Sequence, residues 1–364
     1  MSNKLALNIE NIKKEKDGLD VLGDIFVYAV LGERATKSDL ERFKWYGIYQ
    51  HEDDENLFEL RVPLSLGELN LDQLKTLSFI SKEYTDSSLF FSSEQKVELK
   101  GLKFSSLPNI FNLLQAEGLN TTFEAGHTVR RVLTCPVNGI DSEQLLDVST
   151  LANKLNNTFI SNKSFSNLPN KLQMAISGYK EGCELPFTPD VSFNATKDDK
   201  NKIVFSINII GKNIGYITPS QVLITAKAIA KIFRDYGNRQ NSKKSSFEHL
   251  VNKWGIKEFY ELLNSSIDYK IKQLYIFDHV EIPRRPRMGI NKSTIEGQSY
   301  IGCRLENLKI KSEDLETLTS LLEKYNSSKI KLTHKGNVII LDTPTTHAND
   351  FAKDLQEISF NSFL

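Results

Sequence analysis

The chain has 364 residues, and its 40 % hydrophobic and 25 % charged content matches an ordinary globular protein rather than a disordered one. Its 46 Lys and Arg balance 46 Asp and Glu, so the formal net charge of zero excludes a general attraction to nucleic acids or anionic membranes. No apolar run approaches the roughly 20 residues of a membrane span, and the charged N-terminus lacks the pattern of a secretory signal. We therefore expect neither a nucleic-acid nor a membrane partner.

The three cysteines, Cys135, Cys183 and Cys303, are far apart in the sequence and form no Cys-x-x-Cys pair. This spacing argues against a disulfide framework and against a cysteine zinc site. We expect reduced, mostly buried thiols in a cytoplasmic protein, and no set of residues that holds a metal.

The chain opens with a charged, helical lead-in at residues 1–45. A strand and helix unit is predicted next, at 46–119, because apolar residues alternate in some runs and recur at i, i+3 and i+4 in others. Its predicted elements are a strand at 57–64, a helix at 71–84, strand character at 89–102 and a helix at 107–118.

The same order of elements recurs in residues 293–364. The second set is a strand at 299–305, a helix at 312–325, strand character at 329–341 and a helix at 347–358. The two copies align with a constant offset of 241 and no gap, which places Leu74 on Leu315 and Tyr84 on Tyr325. Because one copy has a sheet too small to be stable alone, we predict that the two copies pair into one domain.

Residues 120–278 separate the two copies and are predicted to form a third unit. Its strand candidates are 129–137, 172–178 and 202–210, and its helix candidates are 144–157, 220–237 and 245–255. A Thr-Pro-Ser signal precedes the helix at 220–237, and Gly237 ends it. The basic, proline-containing stretch at 279–292 is interpreted as a linker to the second copy.

Seven strings, in register along about residues 3–358, resemble the sirohaem-dependent assimilatory nitrite and sulfite reductases. The strings are KKEKDGLDVLGDIFVYA, RFKWYGIY, LRVPLSLGELNLDQL, SSEQKVELKGL, VRRVLTCPVNGI, FSNLPNKLQMAISG and IFRDYGNRQNSKKSSFEHLVNKWGIKEF. The resemblance implies an α+β fold in which two ferredoxin-like half-repeats pair into one domain. It also implies a sirohaem-type α+β cofactor domain at 120–278 and an oxidoreductase that acts on nitrite or sulfite.

The resemblance further implies an anion site and a sirohaem site. Residues at the anion-facing positions are Arg61, Arg130, Lys171 and Gln173, and residues at the sirohaem-facing positions are Gln95, Lys100 and Arg131. Cations suit both ligands, because sirohaem carries eight carboxylates and the substrates are small anions. The residues alone leave a second interpretation open, in which Arg61 and Arg130 are strand residues with ordinary ion-pair partners.

Two substitutions depart from the family's pattern. Glu94 stands at an arginine position, so a carboxylate replaces a cation that would meet the carboxylates of sirohaem. Asn170 stands at a second arginine position, whereas Arg131 replaces an asparagine and returns some positive charge. These changes favour, as an alternative, a paralogue that has lost the pocket.

In the family, a domain with four cysteines follows the second half-repeat and holds a [4Fe–4S] cluster. The resemblance matches none of the three cysteines to those ligands, so we expect a chain that lacks this domain and holds no [4Fe–4S] cluster alone. Sirohaem remains a candidate cofactor, and reduction would need a separate cluster-bearing subunit or a ferredoxin. The alternatives are a tetrapyrrole-binding or regulatory paralogue without activity and a structural interaction protein. The sequence leaves the choice between nitrite and sulfite open.

Overall fold

The computed structural model describes residues 8–180, 185, 187–273, 287–358 and 360–362, and the fold is α+β. Eleven helices lie in these ranges: α1 Ile9–Glu15, α2 Leu22–Leu31, α3 Lys37–Phe43, α4 Leu71–Tyr84, α5 Leu107–Ala116, α6 Ser149–Phe159, α7 Val222–Tyr236, α8 Phe247–Trp254, α9 Ile256–Ser265, α10 Ser312–Lys324 and α11 Ala348–Gln356. Within the same ranges, no helix has both the length and the apolar character that a membrane crossing requires.

Sixteen strands in these ranges form three sheets. They are β1 Ile48–Gln50, β2 Leu57–Pro63, β3 Glu68–Asn70, β4 Ser88–Ser92, β5 Lys96–Lys103, β6 Leu133–Thr134, β7 Met174–Ser177, β8 Val191–Lys197, β9 Ile203–Ile209, β10 Lys212–Ile217, β11 Gly289–Lys292, β12 Gln298–Leu305, β13 Lys309–Lys311, β14 Lys329–Leu332, β15 Val338–Pro344 and β16 Phe360–Asn361.

The first and third sheets are copies of each other, related by the offset of 241 residues. The first has the strand order β1-β2-β5-β4-β13, and the third has the order β11-β12-β15-β14-β3, with β16 paired to β12. The short strands β3 and β13 are equivalent, and each pairs with the sheet of the other copy. Because this exchange adds backbone hydrogen bonds between the copies, the two ferredoxin-like half-repeats form one domain, as predicted.

Two sequence-based boundaries need correction in the half-repeats. Residues 279–286 of the predicted linker lie outside the described part of the chain, and its last four residues, 289–292, form β11, the counterpart of β1. The prediction missed β11 because Ile290 is its only large apolar residue. Without an alternation of apolar and polar residues, the sequence does not indicate a strand there. The runs at 89–102 and 329–341 are each a hairpin of two strands, β4–β5 and β14–β15.

A shared hydrophobic core lies between the two half-repeats. Helices α4 and α10 pack against each other, and Leu74, Leu77, Leu315 and Leu318 are fully buried there. Burial of a leucine side chain contributes about 1.5–3 kcal/mol, so the paired copies gain stability that neither has alone.

The middle unit has its own core and a sheet with the order β10-β9-β8-β7-β6, packed against α6 to α9. The predicted strand at 129–137 is wrong for most of its length, because only Leu133–Thr134 pair as a strand before the chain turns at Cys135–Asn138. The sequence analysis did not predict strands β8 and β10 or helix α9. Val191, Phe193 and Ala195 alternate with polar residues, so β8 could have been predicted from the sequence, whereas Gly215 interrupts the pattern of β10.

A third, small core joins the middle unit to the outer face of the second half-repeat. Its members are Cys135, Val137, Ile140 and Tyr179 from the middle unit and Tyr300, Ile339 and Leu341 from strands β12 and β15. All seven are buried, so this sheet face is a packed interface.

The lead-in fixes the segment that carries Arg130. The indole Nε1 of Trp45 donates a hydrogen bond to the Ser166 carbonyl at 2.7 Å, and its ring stacks on His127 with 6.0 Å between centroids. Gly126 has φ +74°, and a Cβ there would lie 2.3 Å from the Trp45 ring, so only glycine fits. The backbone of this loop is therefore held in one position beside the first half-repeat.

Candidate functional site

Two pieces of backbone bring the predicted anion-facing residues to one region. The segment before β6 runs parallel to the segment before β7, and Arg130 N–H donates to the Leu172 carbonyl at 2.9 Å. This places Arg130 beside the residues that flank Leu172, which are Lys171 and Gln173. Arg61 comes from β2, and the hairpin between β4 and β5 supplies Glu94 and Lys96.

Arg61 lies on the outer face of the first sheet and has a carboxylate partner. Its Nε donates to Glu59 Oε1 at 2.6 Å, and its guanidinium carbon lies 4.1 Å from the Tyr49 ring centroid. Burial alone would lower the pKa of Arg61, but Glu59, Tyr49 and Glu98 together outweigh burial and raise that pKa. Arg61 is thus a permanently charged, held cation with one face on an aromatic ring.

Lys96 is the buried cation at the centre of the region. Its ammonium lies 2.5 Å from Glu94 Oε2 and 2.5 Å from Glu124 Oε1, and both Lys96 and Glu124 are buried. Burial opposes the charge on Lys96, but the two carboxylates outweigh burial and raise its pKa. The Lys96 charge is therefore fully compensated within the protein.

Arg130 uses its guanidinium to hold the loop before it. It donates to the Ala125 carbonyl at 2.9 Å, the Gly126 carbonyl at 2.9 Å and the Thr128 hydroxyl at 2.7 Å. These acceptors are neutral, and burial lowers the pKa of Arg130. An arginine stays protonated in such a setting, so Arg130 contributes a positive charge without a direct carboxylate contact.

Lys171 differs from the other cations because its ammonium has no hydrogen-bond or ion-pair partner among the described residues, and the residue is exposed. Burial raises the pKa of Asp190, in the same unit, to about 6, and the Gln173 N–H and the Lys171 charge oppose that rise. Asp190 Oδ2 accepts a hydrogen bond from Gln173 N–H at 2.8 Å. The Gln173 amide itself donates to the carbonyls of Arg131 and Met174.

We call Arg61, Lys96, Arg130 and Lys171 the cation cluster, because their charges act on two shared neighbours, Tyr49 and Glu94. Arg61, Arg130 and Lys96 all lower the pKa of Tyr49, which burial raises. Lys96, Lys171 and Arg130 all lower the pKa of Glu94. The structure thus brings together the three predicted cations and adds Lys96 to them.

The three residues expected to face sirohaem have other partners. Gln95 is buried, its Nε2 donates to the Leu332 carbonyl at 3.1 Å, and its Oε1 accepts from Thr134 N–H at 3.5 Å. The Lys100 ammonium lies 3.3 Å from Glu98 Oε2 and 4.3 Å from the Phe90 ring centroid.

The third of these residues is Arg131. Its Nη2 donates to Asn120 Oδ1 at 2.8 Å, and its buried Nε has no hydrogen-bond partner in the described chain. Arg131 therefore keeps one buried donor without an acceptor in this part of the chain.

The charged side chains around this region nearly balance one another and do not fit sirohaem. Six cations and five acids lie there: Arg61, Lys96, Lys100, Arg130, Arg131 and Lys171, with Glu59, Glu94, Glu98, Glu124 and Asp190. Full ionisation leaves an excess of one positive charge, whereas sirohaem carries eight carboxylates. Five of the six cations also have partners already, so carboxylates of a macrocycle would have to displace them.

The cysteines were expected to be reduced, buried and without a metal. Cys135 and Cys303 are buried and form no disulfide, and Cys183 lies outside the described residues. Burial raises the pKa of the Cys303 thiol, which makes it unreactive. No group of three or more His, Cys, Asp or Glu side chains in the described ranges is arranged to hold a metal ion. The expectations of no cluster and of a cytoplasmic location stay predictions.

Sequence reasoning missed Lys96, Glu124 and Asp190 as members of this region. The alternation of charged residues at 96, 98 and 100 was a usable signal, because it places three polar side chains on one face of β5. Glu124 and Asp190 lie in irregular segments, where no periodicity shows which side chain reaches the site.

Comparison with known proteins agrees with this architecture. Residues 49–117 and 292–358 match the family described as nitrite/sulfite reductase ferredoxin-like half domain, and residues 125–271 match nitrite and sulphite reductase 4Fe-4S domain. The structure of Mycobacterium tuberculosis NirA protein superposes with a TM-score of 0.88 at 24 % identity, over 98 % of this chain and 70 % of that one.

Curated relatives extend the comparison. A ferredoxin–nitrite reductase of Synechococcus elongatus is 27 % identical over 92 % of this chain, and a ferredoxin sulfite reductase of Mycobacterium tuberculosis is 26 % identical over 97 %. These matches cover 69 % and 68 % of the two relatives, so the chain spans about two thirds of their length. The two family descriptions together cover more than three quarters of the sequence, and the chain belongs to the nitrite and sulfite reductase family.

Proposed function

We propose that this chain binds a small oxyanion of the nitrite or sulfite class and forms the substrate side of a reductase. Its electrons come from a [4Fe–4S] cluster on a separate polypeptide, itself reduced by a ferredoxin. The observation that carries the proposal is the exposed Lys171 ammonium, which has no partner among the described residues although it belongs to the cation cluster. The relatives whose names include ferredoxin, nitrite and sulfite support the choice of anion and donor.

The charges of the site support a single small anion. Lys171 offers three N–H donors on a flexible stem, and half-buried Arg130 adds a positive field while its guanidinium is held by three hydrogen bonds. The single excess positive charge is enough to neutralise one monovalent anion. In this proposal Lys171 binds the anion, whereas Arg61 and Lys96 set the local field and keep their present carboxylate partners.

Anion binding is tested by calorimetric titration of the purified chain with nitrite and with sulfite. We expect Lys171→Gln to weaken binding by at least about tenfold, because loss of one charged hydrogen-bond donor costs roughly 1.5–3 kcal/mol. The matched control is Lys154→Gln, which removes an exposed lysine from α6 and should leave affinity unchanged. Equal affinities of Lys171→Gln and wild type would refute the site.

Reduction is tested by adding a cluster-bearing polypeptide and reduced ferredoxin to the chain. We expect release of ammonia from nitrite or of sulfide from sulfite only when all three are present. Product formation by the chain and ferredoxin alone would contradict the need for a separate cluster.

A second candidate function is an anion-binding paralogue that reduces nothing. Glu94 favours it, because a carboxylate pairs with Lys96 where the family has an arginine. Anion binding without product, with every candidate electron source, would support this second function.

A further inference from the structure

Lys13 is a buried cation of the lead-in that lies outside the cation cluster. It belongs to α1 and is only 4 % exposed. Its ammonium donates to the Leu168 carbonyl at 2.8 Å and to His127 Nδ1 at 3.3 Å, and it forms an ion pair with Glu10. One side chain therefore joins the lead-in to two segments of the middle unit.

The contact between Lys13 and His127 fixes the protonation of both groups. An ammonium only donates, so His127 Nδ1 accepts, and the imidazole is neutral with its proton on Nε2. Burial and the Lys13 charge lower the pKa of His127 to about 4, and burial lowers the pKa of Lys13 to about 8 against the opposing effect of Glu10. Near pH 7, Lys13 is thus a charged donor and His127 a neutral acceptor.

The two segments that Lys13 joins are the ones that carry Arg130 and Lys171. Residues 127–130 run parallel to residues 168–172, and Lys13 contacts the first residue of each segment. Arg130 and Lys171 each lie three residues further along. Three backbone hydrogen bonds join the segments: Leu168 N–H to the His127 carbonyl at 2.8 Å, Leu172 N–H to the Thr128 carbonyl at 3.0 Å and Arg130 N–H to the Leu172 carbonyl at 2.9 Å.

The backbone of Lys171 is held on both sides. Leu168 comes before it and binds the Lys13 ammonium, and Leu172 comes after it and binds the carbonyl of Thr128. Between them, Lys171 N–H donates to Asn170 Oδ1 at 2.8 Å. Among these contacts, only the one from Lys13 has a charged donor, and such hydrogen bonds are about twice as strong as neutral ones.

We infer that Lys13 is a positioning residue of the anion site, which holds the segment that carries Lys171 next to Arg130 from a helix of the lead-in. This inference rests on the proposed function, because it assigns Lys13 a part in binding the same anion. Lys13 itself does not touch the anion. Its loss leaves the Lys171 charge in the protein but frees the backbone that carries it, so anion binding then includes the cost of ordering that segment.

The first test is amide hydrogen exchange of the chain without ligand, in wild type, Lys13→Met and the control Lys14→Met. Methionine retains most of the lysine stem and removes the ammonium, and Lys14 is the exposed neighbour on the same helix. We expect the Leu168 and Leu172 amides to exchange at least about tenfold faster in Lys13→Met, because a charged hydrogen bond to their segment is lost. The amides of β8 and β9 should keep their wild-type rates, and Lys14→Met should change none of these rates.

A milder variant covers the case in which Lys13→Met does not fold. Lys13→Gln keeps an uncharged N–H donor, so it should give the same pattern of exchange with a smaller change in rate.

The second test is a double-mutant cycle of Lys13→Met and Lys171→Gln, with sodium nitrite as the probe in calorimetric titrations. We expect Lys13→Met to weaken nitrite binding about threefold, less than Lys171→Gln does, because the Lys171 ammonium remains but its backbone is less fixed. In the Lys171→Gln background, the same change at Lys13 should leave the affinity unaltered. A purely structural role of Lys13 would lower stability without this dependence on Lys171.

The outcomes separate this inference from the proposed function. Wild-type exchange rates at Leu168 and Leu172 in Lys13→Met would overturn the inference, and so would an equal loss of affinity with and without Lys171. If Lys13→Met binds nitrite as tightly as wild type whereas Lys171→Gln binds it weakly, the inference fails and the anion site stands. If wild type binds no nitrite, the proposed function fails, and the exchange rates alone decide whether Lys13 holds the segment.

Discussion

The two half-repeats have the same strands in the same order, but their outer sheet faces differ. The first carries Glu59, Arg61 and Glu98, whereas the second carries Tyr300, Gly302 and Ile339 at the equivalent positions. The charged face contains part of the cation cluster, and the apolar face is packed against the middle unit. The inner faces of the two copies remain alike because both contribute to the shared core. The outer faces have diverged: the first carries part of the cation cluster, and the second is an interface with the middle unit.

The largest expected effect is a loss of stability when a charged residue is placed on the apolar outer face of the second half-repeat. Ile339→Glu places a carboxylate among buried apolar side chains and loses apolar burial, so we expect at least about 3 kcal/mol of lost stability. The reverse change at the equivalent position, Glu98→Ile, removes only a half-exposed ion pair with Lys100 and should cost less than about 1 kcal/mol. Urea unfolding of both variants measures the difference, and similar losses would show that the two faces do not differ in packing.

A smaller effect is expected on the pH dependence of nitrite binding near the charged face. Asp190 has a pKa raised to about 6 by burial, and its carboxylate acts on Lys171. As pH falls from 7.5 to 5, Asp190 takes up a proton and its negative charge beside Lys171 is lost. We expect nitrite, which stays an anion over this range, to bind several-fold more tightly at pH 5 than at pH 7.5.

The matched variant for this titration is Asp190→Asn, which can still accept the hydrogen bond from Gln173 N–H. Its affinity for nitrite should be nearly independent of pH and close to the wild-type value at pH 5. A wild-type affinity that stays constant with pH would mean that Asp190 does not act on the bound anion.

The hairpins of the two copies show how far sequence predicts this fold. Gly336 and Gln95 are equivalent, and both adopt positive φ, +75° and +57°. Glycine marks such a turn in a sequence, but glutamine does not, and Gln95 is held there by its buried contacts with Leu332 and Thr134. The amphipathic helices and the offset of 241 were predictable because they depend on local periodicity and on comparison of the copies.

The site was less predictable than the fold. The resemblance identified Arg61, Arg130 and Lys171, and the structure brings them together. It could not give their partners, because the pairing of Lys96 with Glu124 joins a strand to an irregular loop 28 residues away in sequence. The charge balance that decides between a small anion and a large polyanion depends on those partners.

The smallest expected effect concerns the pairing of the copies themselves. Lys75 and Lys82 on α4 are equivalent to Glu316 and Glu323 on α10, and they form crossed ion pairs, Lys75 with Glu323 at 2.6 Å and Lys82 with Glu316 at 2.9 Å. One copy therefore carries two lysines where the other carries two glutamates. This arrangement favours the pairing of unlike copies and opposes the pairing of two identical ones.

The double change Lys75→Glu/Lys82→Glu places four carboxylates between the helices, so we expect a small drop in the urea midpoint that shrinks at high salt, because these side chains are about half exposed. Adding Glu316→Lys/Glu323→Lys exchanges the charges of the copies and should restore the midpoint. The restored quadruple variant is the decisive comparison, since it has the same composition of charges as wild type. If it remains as unstable as the double variant, the crossed pairs do not help to select the partner, and the shared apolar core alone specifies how the two halves meet.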